Sequence, residues 1–146
     1  SPHELTLYVT FVEKEDNMLK GLKVLVAEDS KVMRHMIANT LKEAGCKVVA
    51  VENGYEAIVK HGEFHPNLIM MDINMPKVNG LKAMKYIRKV DKQANFIILS
   101  SSSKREEVVI AKSLGVLDYI IKPIQPDLLL ERVTDILSKR LTQSMA

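Results

Sequence analysis

Tryptophan is absent and cysteine occurs once, at Cys46. A lone cysteine excludes an internal disulfide framework and any thiolate cluster for zinc or iron–sulfur, and it suits a reducing compartment. Glycine and proline are sparse, 6 and 5 residues among 146, and the 27% of charged residues is of mixed sign, so collagen-like, low-complexity and disordered chains are excluded. Three Phe and four Tyr leave little equipment for stacking on bases. The net charge is only +3 and the basic residues are scattered, so direct binding of nucleic acid is not expected. No run of about 18 apolar residues is present, and residues 1–20 lack the basic start and long apolar centre of a signal peptide. Membrane insertion is therefore not expected, and a cytoplasmic location is.

What the chain does have is 47% hydrophobic residues on a length that suits one domain. Five short β-rich runs recur, each followed by a segment of helical periodicity. The first is Lys23 to Ala27, followed by a helix from about Lys31 to Ala44 with Val32, Ile37 and Leu41 at core spacing, and Gly45 behind it. Lys47 to Val51 predicts a second strand and Tyr55 to His61 a second helix, opened by Asn53-Gly54. Leu68 to Met71 is apolar throughout, as in a strand covered on both faces, and Asp72 follows it. A third helix carries Leu81, Met84, Ile87 and Arg88. Phe96 to Leu99 is the fourth strand, and Ser100 to Ser103 supply cap candidates for a fourth helix from Lys104 to Leu114. Tyr119 to Ile121 is the fifth strand, and Pro126 starts a fifth helix reaching about Arg140. Strands and helices in alternation with short connections predict right-handed crossovers and a parallel sheet with helices on both faces. Ligands of such sheets sit outside the carboxyl ends of the strands.

Several chemically capable residues fall at those ends. Glu28 and Asp29 follow the first strand, Asp72 the third and Lys122 the fifth, while Ser100 closes the fourth. Three crowded carboxylates either raise a pKa or hold a cation, and an all-oxygen set favours Mg2+ over zinc. A carboxylate beside a hard cation, an ammonium and a hydroxyl is suited to accept a phosphoryl group, with Asp72 as the nucleophile. Each residue alone has a plainer reading: Asp29-Ser30 is also an ordinary helix start, and a single lysine is most simply a solvated one. Their joint placement favours the site.

The stretches VLVAEDSKVMR at 24–34, ENGYEA at 52–57, PNLIMMDINMPKVNGL at 66–81, IILSS at 97–101 and GVLDYIIKP at 115–123 resemble the receiver domain of two-component response regulators, most closely the single-domain chemotaxis type. The resemblance implies a doubly wound (βα)5 flavodoxin-like α/β sandwich with strand order 2-1-3-4-5 over residues 21–141, with 142–146 as a tail. It implies that Asp72 takes a phosphoryl group from a histidine kinase or a phosphotransfer protein. Glu28, Asp29, Asp72 and the backbone carbonyl of Asn74 would hold Mg2+. Lys122 would contact the phosphoryl group, its bond to Pro123 being cis as in the family. Ser100 and Tyr119 would be the switch residues, and a target protein would read the face of the fourth helix, fifth strand and fifth helix. Such a protein is a regulatory phosphoacceptor, not an enzyme acting on a separate substrate. Two positions depart from the family: Glu28 stands where Asp is usual, and Ser101 where Ala is usual. Asn74 and Ser102 lie where the family tunes hydrolysis of the acyl phosphate.

Residues 1–20 fall outside the resemblance. Leu5, Leu7, Val9 and Phe11 alternate with polar residues, which predicts a strand with one apolar face. It can be the end of an upstream domain, as before the receiver of a hybrid histidine kinase, a strand that pairs with a second copy in a dimer, or an expression remnant. His35, His61 and His65 show no metal spacing, Cys46 reads as a small buried residue, and Met33, Met36, Met70, Met71 and Met84 as packing. Two other functions compete with the signalling switch: a phosphate-independent binding module, and an aspartyl phosphohydrolase. The second would need an acid/base two residues after Asp72, where Asn74 stands.

Overall fold

The computed structural model describes residues 2–6 and 18–145, with side chains described as far as Arg140. The elements run β1 (Lys23–Ala27), α1 (Lys31–Glu43), β2 (Lys47–Val51), α2 (Gly54–Phe64), β3 (Leu68–Asp72), α3 (Gly80–Val90), β4 (Phe96–Ser100), α4 (Arg105–Ser113), β5 (Asp118–Ile121) and α5 (Pro126–Met145). The strands form one sheet in the order β2-β1-β3-β4-β5, all pairs parallel. The expected α/β fold and strand order are those observed.

Strand periodicity of two divides the core. Val24, Val26, Leu68, Met70, Ile97 and Leu99 face α1 and α5, where Ile37, Leu41, Leu129 and Val133 cover them. Leu25, Ala27, Ile69, Met71, Phe96 and Ile98 face α2, α3 and α4, met by Ala57, Ala83, Met84, Ile87 and Ala111. Every residue of β3 and β4 is buried, as the unbroken apolar runs imply. Each fully buried Leu, Ile, Met or Phe stabilises the fold by roughly 1.5–3 kcal/mol of apolar transfer.

Side-chain oxygens open three helices. Ser30 Oγ accepts from Met33 N at 3.3 Å, Asn53 Oδ1 from Glu56 N at 2.9 Å and Asn79 Oδ1 from Lys82 N at 2.9 Å. These caps place the loops at the carboxyl ends of β1, β2 and β3 on one edge of the molecule.

Four details differ from the sequence expectations. Val32 is 83% exposed; the buried stripe of α1 is Ile37 and Leu41 with Met33 packed against it, and Val32 lies roughly 140° from Ile37 and about 180° from Leu41 around the helix. Lys104 precedes α4 with no side-chain cap. The serine hydroxyls serve the loop instead, Ser100 Oγ accepting from Ser102 N at 3.0 Å and Ser102 Oγ from Lys104 N at 3.1 Å. Helix α5 continues beyond Arg140 to Met145. Leu5 and Thr6, the first residues of the expected N-terminal strand, are helical, with Thr6 Oγ1 donating to Pro2 O at 2.9 Å. The rest of that stretch, 7–11, lies outside the described residues. Leu19 is 6% exposed and belongs to the core.

Candidate functional site

Sheet register delivers the site. Ala27 pairs with Met71, so Glu28 and Asp72 stand side by side as the next residues of adjacent strands. Ser100 pairs with Ile121, and Lys122 N donates to Ser100 O at 2.7 Å, which carries Lys122 to the same edge. Two strands, β3 and β4, separate β1 from β5. The long arm of Lys122 crosses that gap: Nζ lies 2.8 Å from Glu28 Oε1 and 3.2 Å from Asp72 Oδ2.

Backbone amides hold the remaining carboxylate oxygens. Ser30 N donates to Glu28 Oε2 at 3.1 Å, and Asn74 N donates to Asp72 Oδ1 at 3.0 Å. Glu28 and Asp72 are 0% and 1% exposed, whereas Asp29 is open to solvent. One ligand atom from each of Glu28, Asp29 and Asp72 lies within 4.8 Å of the others.

The electrostatics follow from two buried carboxylates sharing one ammonium, with a third carboxylate beside them. Burial pushes Glu28 up to about 7, and its hydrogen bond with Asp72 adds to this, against the partial opposition of Lys122 and the Ser30 amide. Burial also acts on Asp72, but its side-chain interaction with Glu28, the N–H of Asn74, the nearby Asp29 side chain and the charge of Lys122 hold it below the ordinary carboxylate range. Burial opposes the charge of Lys122 as well; its bond to Glu28 and the Asp72 carboxylate outweigh that and raise it. Without a cation, a proton on Glu28 relieves the repulsion. A hard divalent cation fits the same place, because the donors are all oxygens and are close enough to share one ion.

The other expected residues sit around this cluster. Ser100 is fully buried with its hydroxyl on the Ser102 amide, and Asn74 is exposed. Tyr119 is half-buried and its hydroxyl donates to Ser102 O at 2.8 Å. The Lys122–Pro123 peptide bond is cis. His35 is exposed, and His61 is buried with Nε2 3.1 Å from Asp91 Oδ2, far along the chain from the acidic set. Cys46 is buried, which pushes its thiol up.

Sequence reasoning left two contributors without a role. Arg34 lies behind the acidic loop with Nη1 2.9 Å from Glu28 O. Its only signal was its place at the end of the 24–34 motif. Gly80 abuts Asp72: a Cβ there would stand 2.2 Å from Asp72 O. Such a contact depends on how α3 returns to the sheet, which no local pattern encodes.

Among the described residues, no helix is long and apolar enough to cross a membrane. Residues 24–134 match the response regulator receiver domain family. The chain is 38% identical over 117 residues to the chemotaxis protein CheY of Bacillus subtilis, covering 80% of this chain and 98% of that protein. It is 38% identical over 120 residues to CheY of Thermotoga maritima, covering 82% and 97%. Among solved structures, CheY4 of Vibrio cholerae superposes with a TM-score of 0.74 at 28% identity, over 80% of this chain and 99% of that one. CheY in a CheX-CheY-BeF3-Mg2+ complex from Borrelia burgdorferi does so with 0.76 at 25% identity, over 81% and 90%.

Proposed function

Since the chain belongs to the response regulator receiver domain family, we propose that it is a phosphorylation-dependent switch in which Asp72 is the phosphoacceptor. The observation that carries this reading is the buried Asp72 carboxylate, with Lys122 Nζ at 3.2 Å and two further carboxylates beside it. The donor is a phosphohistidine on a histidine kinase or phosphotransfer protein. An Asp72 oxygen forms the new O–P bond, the P–N bond breaks, and the departing imidazole nitrogen picks up a proton.

Glu28, Asp29, Asp72 and the carbonyl of Asn74 would hold Mg2+, and the ion, when bound, neutralises charge on the phosphoryl oxygens. Lys122 supplies the complementary positive charge from the β5 side, already placed by its two carboxylate partners. Ser100, at the end of β4, offers a hydroxyl that now accepts from the Ser102 amide and can turn to a phosphoryl oxygen. That turn releases the N–H of Ser102, the residue whose carbonyl oxygen accepts from the Tyr119 hydroxyl. Movement at Ser100 is thereby coupled to the face of α4, β5 and α5, where Val109, Ile110, Ile121 and Leu128 are exposed and a protein target would bind. Asn74 carries an amide that does not exchange protons, which disfavours turnover of a separate phosphate ester.

Intact mass after incubation with acetyl phosphate, with and without Mg2+, tests the proposal. A labile gain of one phosphoryl group that requires both the metal and Asp72 is expected. No gain in any condition would sink it and leave a phosphate-independent binding module.

A further inference from the structure

We propose that Arg34 is a positioning residue for the acidic pair: its guanidinium holds the carbonyl oxygens of Glu28 and Asp29 and so sets where the Asp29 carboxylate stands. The inference rests on the metal-binding reading above.

Strand β1 ends at Ala27 and α1 is capped by Ser30, so Glu28 and Asp29 belong to neither element. Glu28 keeps one tie to the sheet, its N–H donating to Val51 O at 3.0 Å. Its carbonyl and that of Asp29 turn to Arg34, whose Nη1 lies 2.9 Å from Glu28 O and 3.3 Å from Asp29 O. On the far side, Arg34 Nη2 lies 3.8 Å from Glu52 Oε2, at the loop after β2. The Arg34 side chain is only 14% exposed, so this is a packed brace and not a solvated charge.

Two successive carbonyls anchored on one guanidinium fix two peptide planes, and with them the direction in which the Asp29 side chain leaves the backbone. Glu28 and Asp72 are buried and tied by Ser30 N, Asn74 N and Lys122. Asp29 is the exposed member of the set, and its placement depends most on its backbone. Both carbonyls accept from the one nitrogen, Nη1, whose two N–H groups are fixed in the guanidinium plane; a lysine keeps the charge at position 34 but offers a rotating ammonium on a flexible four-carbon stem.

Charge and position predict opposite signs. A positive group near a cation site repels the cation, so removing it should tighten Mg2+ binding; removing a brace should weaken it. The test is a calorimetric titration of the full chain with Mg2+ alone, below the melting range, with circular dichroism confirming the fold and melting temperatures recorded alongside. Arg34→Ala should weaken binding roughly tenfold, the scale of loss when an outer partner of a metal ligand is removed. Arg34→Lys should also weaken it, while Glu52→Gln, the removal of an exposed partner, should change it by less than about twofold. Unchanged or tighter binding in folded Arg34→Ala, or full affinity in Arg34→Lys, overturns the inference. If Arg34→Ala does not fold, Arg34→Lys decides alone: weakened binding supports the brace and wild-type affinity refutes it. A wild-type chain that binds no Mg2+ would instead bring down the metal-site reading itself, and the brace with it.

Discussion

Lys122 is drawn closer to Glu28 than to Asp72: its Nζ lies 2.8 Å from Glu28 Oε1 and 3.2 Å from Asp72 Oδ2. The amine is thus shared between the proposed phosphoacceptor and a neighbouring carboxylate that a metal would engage. Glu28, one methylene longer than Asp, reaches Lys122 from a strand that is not its neighbour. Replacing Lys122 by Ala should leave some phosphorylation by acetyl phosphate, because Asp72 and the acidic pair remain. The conformational response should be lost. Intact mass reports the first and amide hydrogen exchange across residues 100–121 the second; a normal exchange response in the phosphorylated variant would contradict the role given to Lys122.

Asp72→Asn removes the proposed nucleophile while keeping its shape. The variant should fold, yet gain no stable phosphoryl mass under conditions that modify the wild type. A full gain would move the acceptor elsewhere.

Glu28 sets a pH dependence. With Glu28 raised to about 7 in the folded, metal-free chain, Mg2+ must displace a proton below that value, so affinity should fall as pH drops from 8 to 6 and proton release on binding should rise. The sign for stability without metal is the opposite of the usual carboxylate case. The Glu28 contribution is fully present below its unfolded value of 4.5 and is lost as pH rises through about 7. Asp72, lowered from 3.8, contributes above that value and loses its contribution as pH falls through the depressed one. Melting temperatures in EDTA should therefore carry a component that declines between pH 5 and pH 7, and Glu28→Gln should remove it. An unaltered profile in Glu28→Gln would place the titration on another group.

Gly80 lets α3 begin against the end of β3. A Cβ at this position would lie 2.2 Å from Asp72 O and 2.7 Å from Ile73 Cα, both backbone atoms that cannot rotate aside. Gly80→Ala should cost about 3 kcal/mol, at the upper end of ordinary overpacking. Urea unfolding measures this, and a loss below about 1 kcal/mol, the lower bound for overpacking, would mean that the loop yields freely.

Tyr119→Phe keeps the ring and removes the hydroxyl that donates to Ser102 O. The expected loss is about 1 kcal/mol, the net worth of one hydrogen bond. The same urea experiment reads it, and a midpoint equal to the wild type would show the bond to be idle.

Much of this molecule was legible in the chain alone. Alternating apolar strands and helical stripes, punctuated by Asn53-Gly54 and Asn79-Gly80, specify five parallel strands in sequence because burial on both sheet faces demands continuous apolar runs. The residues expected at the strand ends follow from the same pattern, since a strand's last residue is a local property. Less legible were features that depend on one element meeting another. Val32 has the right residue type for a core but the wrong azimuth on α1, and the serines before α4 hold the loop instead of the helix. The bond from Lys122 to Glu28 joins groups distant in the chain, and the brace of Arg34 on the acidic loop and the contact of Gly80 with Asp72, though close in sequence, depend on how a helix packs back against the end of a strand. Sequence determines which groups exist and which faces they prefer. Only the packed sheet decides their separations, and at 3 Å those separations set the protonation of Glu28 and the charge of Asp72, because electrostatic energy and desolvation change steeply over single ångströms.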